Sequence, residues 1–131
     1  MDALDLKTIK VAAAAIVHQG RLLITQRKNG FWELPGGKVE AGETFEQCCI
    51  REIKEELDLD IKINSYFGDL NYTYPDFKLE MKIYTCSLID PNEKVILNVH
   101  QNKLWAQSDD LPGVNWLPAD LELIPKLQAL L

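Results

Sequence analysis

The stretch Gly37-Lys-Val-Glu-Ala-Gly-Glu-Thr-Phe-Glu-Gln-Cys-Cys-Ile-Arg-Glu-Ile-Lys-Glu-Glu-Leu-Asp-Leu59 reads as a loop that runs into a helix with three carboxylates on one face. Glu52, Glu55 and Glu56 stand at i, i+3 and i+4. A helix turns roughly 100° per residue, so the three side chains share an arc of about 100°. On a bare helix, like charges so close repel by about 0.2–0.5 kcal/mol per pair. A hard divalent cation, which prefers oxygen ligands, is the simplest compensation. Thr44 with Gln47 fits a capping box at the helix start, and Glu43 and Glu46 suit the positive end of its dipole. Cys49, Ile50, Ile53 and Leu57 form the expected apolar side, and the helix is expected to end near Asp58.

Upstream, residues 9–17 form an apolar run expected to be a strand, with a helix as the rival because four consecutive alanines dilute its β-propensity. His18-Gln-Gly20 reads as a tight turn into a second strand over residues 21–26. Asn29-Gly30 is a turn, residues 31–34 are extended before Pro35, and Pro35-Gly36-Gly37 is a glycine-rich turn. Downstream, residues 61–74 and 77–89 read as two strands broken at Tyr74-Pro75-Asp76. Residues 95–99 and 103–106 are also expected to be strand. Residues 114–117 lead into a final helix, in which Pro125 implies a kink or a late start. Strands, helix, strands, helix suggest an α/β fold, a mixed sheet with helices packed on it.

At 131 residues the chain fits a single domain, 1–131. It has no apolar run long enough to span a bilayer, and its acidic N-terminus is not a signal peptide. The net charge of −6 argues against a nucleic-acid polymer as partner, while a phosphorylated small molecule is accommodated once cations screen the repulsion. Three cysteines, with Cys48 and Cys49 adjacent and Cys86 on a strand, are an odd count expected as reduced thiols in a cytoplasmic protein. The sequence leaves monomer and homodimer equally open.

The residue types around the helix suggest a chemistry. Gly36 and Gly37 let the backbone approach a ligand. Glu52, Glu55 and Glu56 offer the anionic oxygens that Mg²⁺ or Mn²⁺ prefer. Arg51 pairs with Glu55 along the helix or reaches back to Glu43. Arg27 and Lys38 are candidate phosphate contacts. A metal-bound phosphate chain beside a carboxylate that takes a proton from water is the arrangement of a phosphoanhydride hydrolase. An acidic helix face taken alone is more often simply solvated.

The joint register of Gly37, Glu43, Arg51, Glu52, Ile53, Glu55, Glu56 and Leu59 resembles the Nudix box, G-x5-E-x7-R-E-U-x-E-E-x-G-U with U apolar. Asp58 alone departs, standing where the family has glycine. Residues 22–27 and Trp32-Glu-Leu-Pro-Gly-Gly-Lys38 are similar to the approach to the box in MutT-like members. His100-Gln, Trp105 and Leu117-Pro-Ala-Asp-Leu121 are similar to the C-terminal half of the CTP pyrophosphohydrolase type. The resemblance implies the Nudix α/β/α sandwich. It also implies hydrolysis of a nucleoside triphosphate (CTP, dCTP or a modified or oxidised dNTP) to the monophosphate and pyrophosphate. It assigns Glu55, Glu56 and the Gly36 carbonyl to the metal, Glu52 as ligand or general base, and Arg27 and Lys38 to phosphates. Gly37, Glu43 and Arg51 become structural parts of the box.

Two further positions qualify the resemblance. Many relatives carry another glutamate before the tryptophan, where this chain has Val99-His100. Either Glu52 then does the base work alone, or water completes the metal shell, or His100 helps, with Glu80 and Glu93 as replacements. Asp120 stands where members that read an oxidised guanine have Asn and the CTP pyrophosphohydrolase type has Asp. It is a base contact or a helix N-cap. Tyr74, Phe77 and Trp105 are candidates to stack on a base. The alternatives are a catalytically weak nucleotide-binding module and a hydrolase of ADP-ribose or another nucleoside diphosphate derivative.

Overall fold

The alanine run is a strand. In the computed structural model, which describes residues 6–131, β1 spans Thr8–His18. Ala12, Ala14 and Ile16 pack on one face, Ala13 and Ala15 on the other, and all five are buried. A strand covered on both faces has apolar side chains at every position, so no helical period is required of it. Residues 1–5, which include most of the acidic N-terminus, lie outside the described region.

β1 is the centre of a mixed sheet. It runs parallel to β6 (Lys78–Leu88) from Thr8↔Lys78 to Ile16↔Cys86. β6 pairs antiparallel with β5 (Ile61–Thr73), with register shifts at Ile63/Ser65 and Tyr66/Gly68. On its other side β1 divides its pairing. Its C-terminal end joins β2 (Arg21–Gln26), and its middle joins β4 (Gly36–Lys38) through Ala12↔Gly37 and Ala13↔Gly36. β2 also pairs with β3 (Trp32–Glu33) and β7 (Asn102–Ala106). The β1–β2 hairpin turns on Gln19 and Gly20, both at positive φ, as a two-residue turn matching strand twist requires.

α1 (Phe45–Leu57) covers one face of the sheet, burying Cys48, Cys49, Ile53 and Leu57. The expected capping box is present, with Thr44 Oγ1 accepting from Gln47 N–H at 3.0 Å and Gln47 Oε1 accepting from Thr44 N–H at 2.9 Å. The helix ends at Asp58 in the left-handed conformation, φ 54 and ψ 36. The opposite face is covered by two 3-10 segments, Ser108–Gly113 and Pro118–Leu123, and by α2 (Ile124–Gln128). This is the α/β/α sandwich that the resemblance implied. Among the described residues, no helix is long and apolar enough to cross a membrane. The three cysteines are free and buried.

Three local expectations are corrected, and a fourth is decided between its alternatives. Ile50 is 44% exposed, and Cys48 takes its place on the buried side, because the face of α1 packed on β1 and β4 carries Cys48 with Cys49, Ile53 and Leu57. Gly36 and Gly37 lie in strand β4. Residues 95–99 are not a strand. They run past the C-terminus of α1, where Ile96 N–H donates to Leu57 O and Asn98 N–H to Glu56 O, satisfying carbonyls that the helix leaves open. The final helix is short and starts late, with Pro125 in its first turn, where a missing N–H costs nothing.

Candidate active site

The pairing of β4 with β1 brings the glycines against α1. A Cβ on Gly36 would lie 2.1 Å from Ala12 O and 2.7 Å from Ala13 Cα, so only glycine allows this approach. A Cβ on Gly37 would lie 2.3 Å from the carboxyl carbon of Glu52. The acidic face of α1 therefore packs directly on the β4 backbone.

Arg51 organises this face. Its Nε donates to Glu43 Oε2 at 2.6 Å and its Nη2 to Glu43 Oε1 at 2.9 Å, a two-pronged bond across the loop. Its Nη1 reaches Glu52 Oε1 at 2.8 Å and Glu55 Oε2 at 3.1 Å, and Nη2 also bonds the Lys38 carbonyl at 3.1 Å. Both partners foreseen for Arg51 are taken at once. The Glu43 carboxyl is held down to about 2, chiefly by its hydrogen bond from Arg51.

Glu56 is different. Burial pushes its carboxyl up to about 8, and the charges of Glu52, Glu33 and Glu55 add to the effect, with the Gly36 backbone pulling the other way. Its Oε2 is buried without a hydrogen-bond partner. Among the described residues, no three His, Cys, Asp or Glu side chains are already gathered as a cation cage, and Glu52 and Glu55 both lie against Arg51, at 2.8 and 3.1 Å. The donor set nonetheless fits a hard divalent cation. An orphaned carboxylate oxygen with three further carboxylates nearby supplies oxygen ligands and an unmet negative charge.

Two cavities open on either side of Glu33, and Glu56 lines the polar one. One, of about 530 Å³, is lined by Glu56, Gly36, Gly37, Lys38, Arg27 and His100 among others. The second, of about 450 Å³, is more apolar. It runs over Val11, Leu79 and Met81 past Tyr74 and Phe77 to Asp120. Asp120 is 5% exposed, and its carboxyl is pushed up to about 7, by burial first and by the charge of Glu33 next. It lies inside the Pro118–Leu123 segment, whose N-cap is Leu117, so the capping alternative is excluded. The Ala119 N–H donates to Tyr74 Oη at 3.3 Å, which ties this segment to the mouth of the β5–β6 hairpin.

The other candidates separate. Tyr74 and Phe77 stack on each other, centroids 5.0 Å apart, and line the apolar cavity. Trp105 lines neither of these cavities and instead meets the His18 ring at 5.9 Å. Glu93 accepts the Asp60 N–H at 3.2 Å, and Glu80 lines neither cavity. The residue that sequence reasoning missed is Glu33. It lines both cavities, its Oε2 lies 2.9 Å from His100 Nε2, and its Oε1 lies 3.9 Å from Arg27 Nη1. The signal was its place in Trp32-Glu33-Leu34, but nothing in the sequence pairs position 33 with position 100.

The site is a glycine strand clasped to an acid-rich helix, on a mixed sheet between helices. The profile of the NUDIX domain matches residues 8–129, and the chain belongs to the Nudix hydrolase family. It is similar to the 8-oxo-dGTP diphosphatase of Haemophilus influenzae, 30% identical over 132 residues that cover 95% of this chain and 94% of that one. It is likewise similar to the CTP pyrophosphohydrolase of Escherichia coli, 28% identical over 130 residues that cover 95% of each. The crystal structure of the MutT protein from Methanosarcina mazei superposes with a TM-score of 0.84 at 20% identity, covering 95% of this chain and 96% of that one, and supports the fold. Nudix hydrolases act on nucleotide derivatives and generally use divalent metal ions.

Proposed function

We propose that this chain hydrolyses a nucleoside triphosphate to the monophosphate and pyrophosphate with Mg²⁺, Mn²⁺ serving as substitute. The observation that carries the reading is a pair of adjoining cavities, an apolar one lined by Asp120 and a polar one lined by Glu56, which share Arg27, Gly36 and Lys38. A flat base belongs in the first and a phosphate chain in the second. Glu55, Glu56 and the Gly36 carbonyl would hold the cation. Its chemistry there would be to neutralise phosphate charge and polarise the phosphoryl group. Arg27 and Lys38 bind phosphate oxygens. Glu52, packed on Gly37, takes the proton of the attacking water or shares in holding the cation. Asp120 reads the edge of the base. Ionised, it only accepts hydrogen bonds and suits the exocyclic amine of cytosine. Protonated, it also donates.

The test is a substrate panel with pyrophosphate and phosphate measured separately. It includes CTP, dCTP, 5-methyl-dCTP, 8-oxo-dGTP, the common dNTPs and ADP-ribose. Pyrophosphate from a triphosphate supports the reading. Cleavage of ADP-ribose alone, or tight nucleotide binding without turnover, overturns it. E52Q and E56Q lower turnover by orders of magnitude with the fold retained. Near wild-type rates in both would remove these two residues from the mechanism.

A further inference from the structure

Glu33 stands where the two cavities join. Arg27, Gly36 and Lys38 line both with it, whereas Glu56 and His100 belong only to the polar cavity and Asp120 only to the apolar one. The carboxylate is held from two sides, by His100 on Oε2 at 2.9 Å and by Arg27 near Oε1 at 3.9 Å. The His100 side chain is only 2% exposed, and its Nδ1 is buried without a partner. A buried N–H without an acceptor is rarer than a buried lone pair without a donor. The tautomer that fits therefore carries its proton on Nε2, donates it to Glu33 and leaves a bare lone pair on Nδ1. The one hydrogen bond of this buried ring is spent on orienting Glu33. A mere fastener between residue 100 and β3 would not need a carboxylate. An acid placed between the acids Glu56 and Asp120 raises both of them and adds repulsion that an amide would avoid.

A nucleotide carries its sugar between base and phosphates. With the base toward Asp120 and the phosphates toward Glu56, the sugar falls at the seam. An ionised carboxylate accepts hydrogen bonds and cannot donate, so it is complementary to hydroxyl groups. We infer that Glu33, positioned by His100, binds the sugar hydroxyls of the substrate nucleotide and discriminates against sugars that lack them. This assignment rests on the nucleotide reading proposed above.

The experiment measures kcat and KM for the best triphosphate of the panel and for its 2′,3′-dideoxy analogue, using wild type, E33Q and H100Q, with melting curves for each. In wild type the analogue has a KM higher by about tenfold, the scale of a lost hydrogen bond to a charged group, with kcat little changed. E33Q raises KM for the hydroxylated substrate and nearly closes the gap. H100Q moves the same ratio in the same direction by less, and it carries the test alone if E33Q does not fold. A wild type that treats both substrates alike, or an E33Q enzyme that keeps the wild-type ratio, overturns the sugar assignment while leaving triphosphate hydrolysis standing. A wild type that releases pyrophosphate from no triphosphate overturns both.

Discussion

Arg51 grips both carboxylate oxygens of Glu43, at 2.6 and 2.9 Å, and with a third nitrogen holds Glu52 at 2.8 Å. One guanidinium thus fixes the loop before α1 and the carboxylate packed on Gly37. Its planar fork makes this possible, and a lysine has no equivalent geometry.

The Glu43–Arg51 bond has a pH signature. Glu43 is held down to about 2 from an ordinary 4.5, so its folded form binds a proton less readily than its unfolded form. The stability it contributes is therefore complete above the ordinary carboxylate range and is lost as pH falls from about 5 toward 2. E43Q should melt lower than wild type at pH 7, and the difference should shrink as pH is lowered to 3. Melting curves at several pH values check this, and a constant difference would contradict it.

Gly36 and Gly37 should fail differently when replaced. In G36A the new methyl meets the Ala12 and Ala13 backbone, which cannot move without breaking the β1–β4 pairing, so the fold is destabilised by about 2 kcal/mol or more. In G37A the methyl meets the Glu52 carboxylate, the far end of a side chain that can swing aside. That variant should keep most of its stability and lose turnover by about tenfold or more, because Glu52 is displaced. Denaturant unfolding and turnover together separate the two outcomes.

Asp120 should make stability fall with rising pH. Its carboxyl is pushed up to about 7 in the folded protein, mainly by burial, against 3.8 in the unfolded chain. Its contribution is complete below the unfolded value and is lost as pH rises through the folded one. D120N cannot ionise, so relative to wild type it should gain at most about 2–3 kcal/mol between pH 5 and pH 8. Identical pH profiles for the two proteins would show that Asp120 titrates normally.

Asp58 occupies the left-handed position that ends α1, and Lys54 Nζ lies 3.3 Å from its carboxylate. Glycine adopts this conformation without the steric cost of a Cβ, while an exposed ion pair contributes little. D58G should therefore stabilise the protein by about 0.5–1 kcal/mol and leave turnover unchanged. Unfolding titrations decide it, and a destabilised D58G would mean that the Lys54 pair outweighs backbone strain.

Much of this was legible along the chain because it is local. Thr44 and Gln47 cap a helix across three residues, Asp58 ends it, and the box register places Arg51, Glu52, Glu55 and Glu56 on neighbouring turns after Glu43 in the loop. Local errors arose where periodicity was ambiguous. Ile50 and Cys48 are two positions apart on one helix, and only contact with the sheet decides which is buried. The apolar letters of residues 95–99 suggest a strand, yet their backbone groups cap the end of α1.

The sequence by itself determined the family, the acidic helix and the residue types for phosphate chemistry, since these follow from spacing within a few turns. Only the tertiary structure decided that Arg51 serves Glu43 and Glu52 together, that Glu56 is a buried acid with one unpartnered oxygen, and that Asp120 lines an apolar cavity. It alone joined Glu33 to His100 across 67 positions of chain. Burial and long-range contact set the charge and orientation of these groups, and neither is a property of any short stretch of sequence.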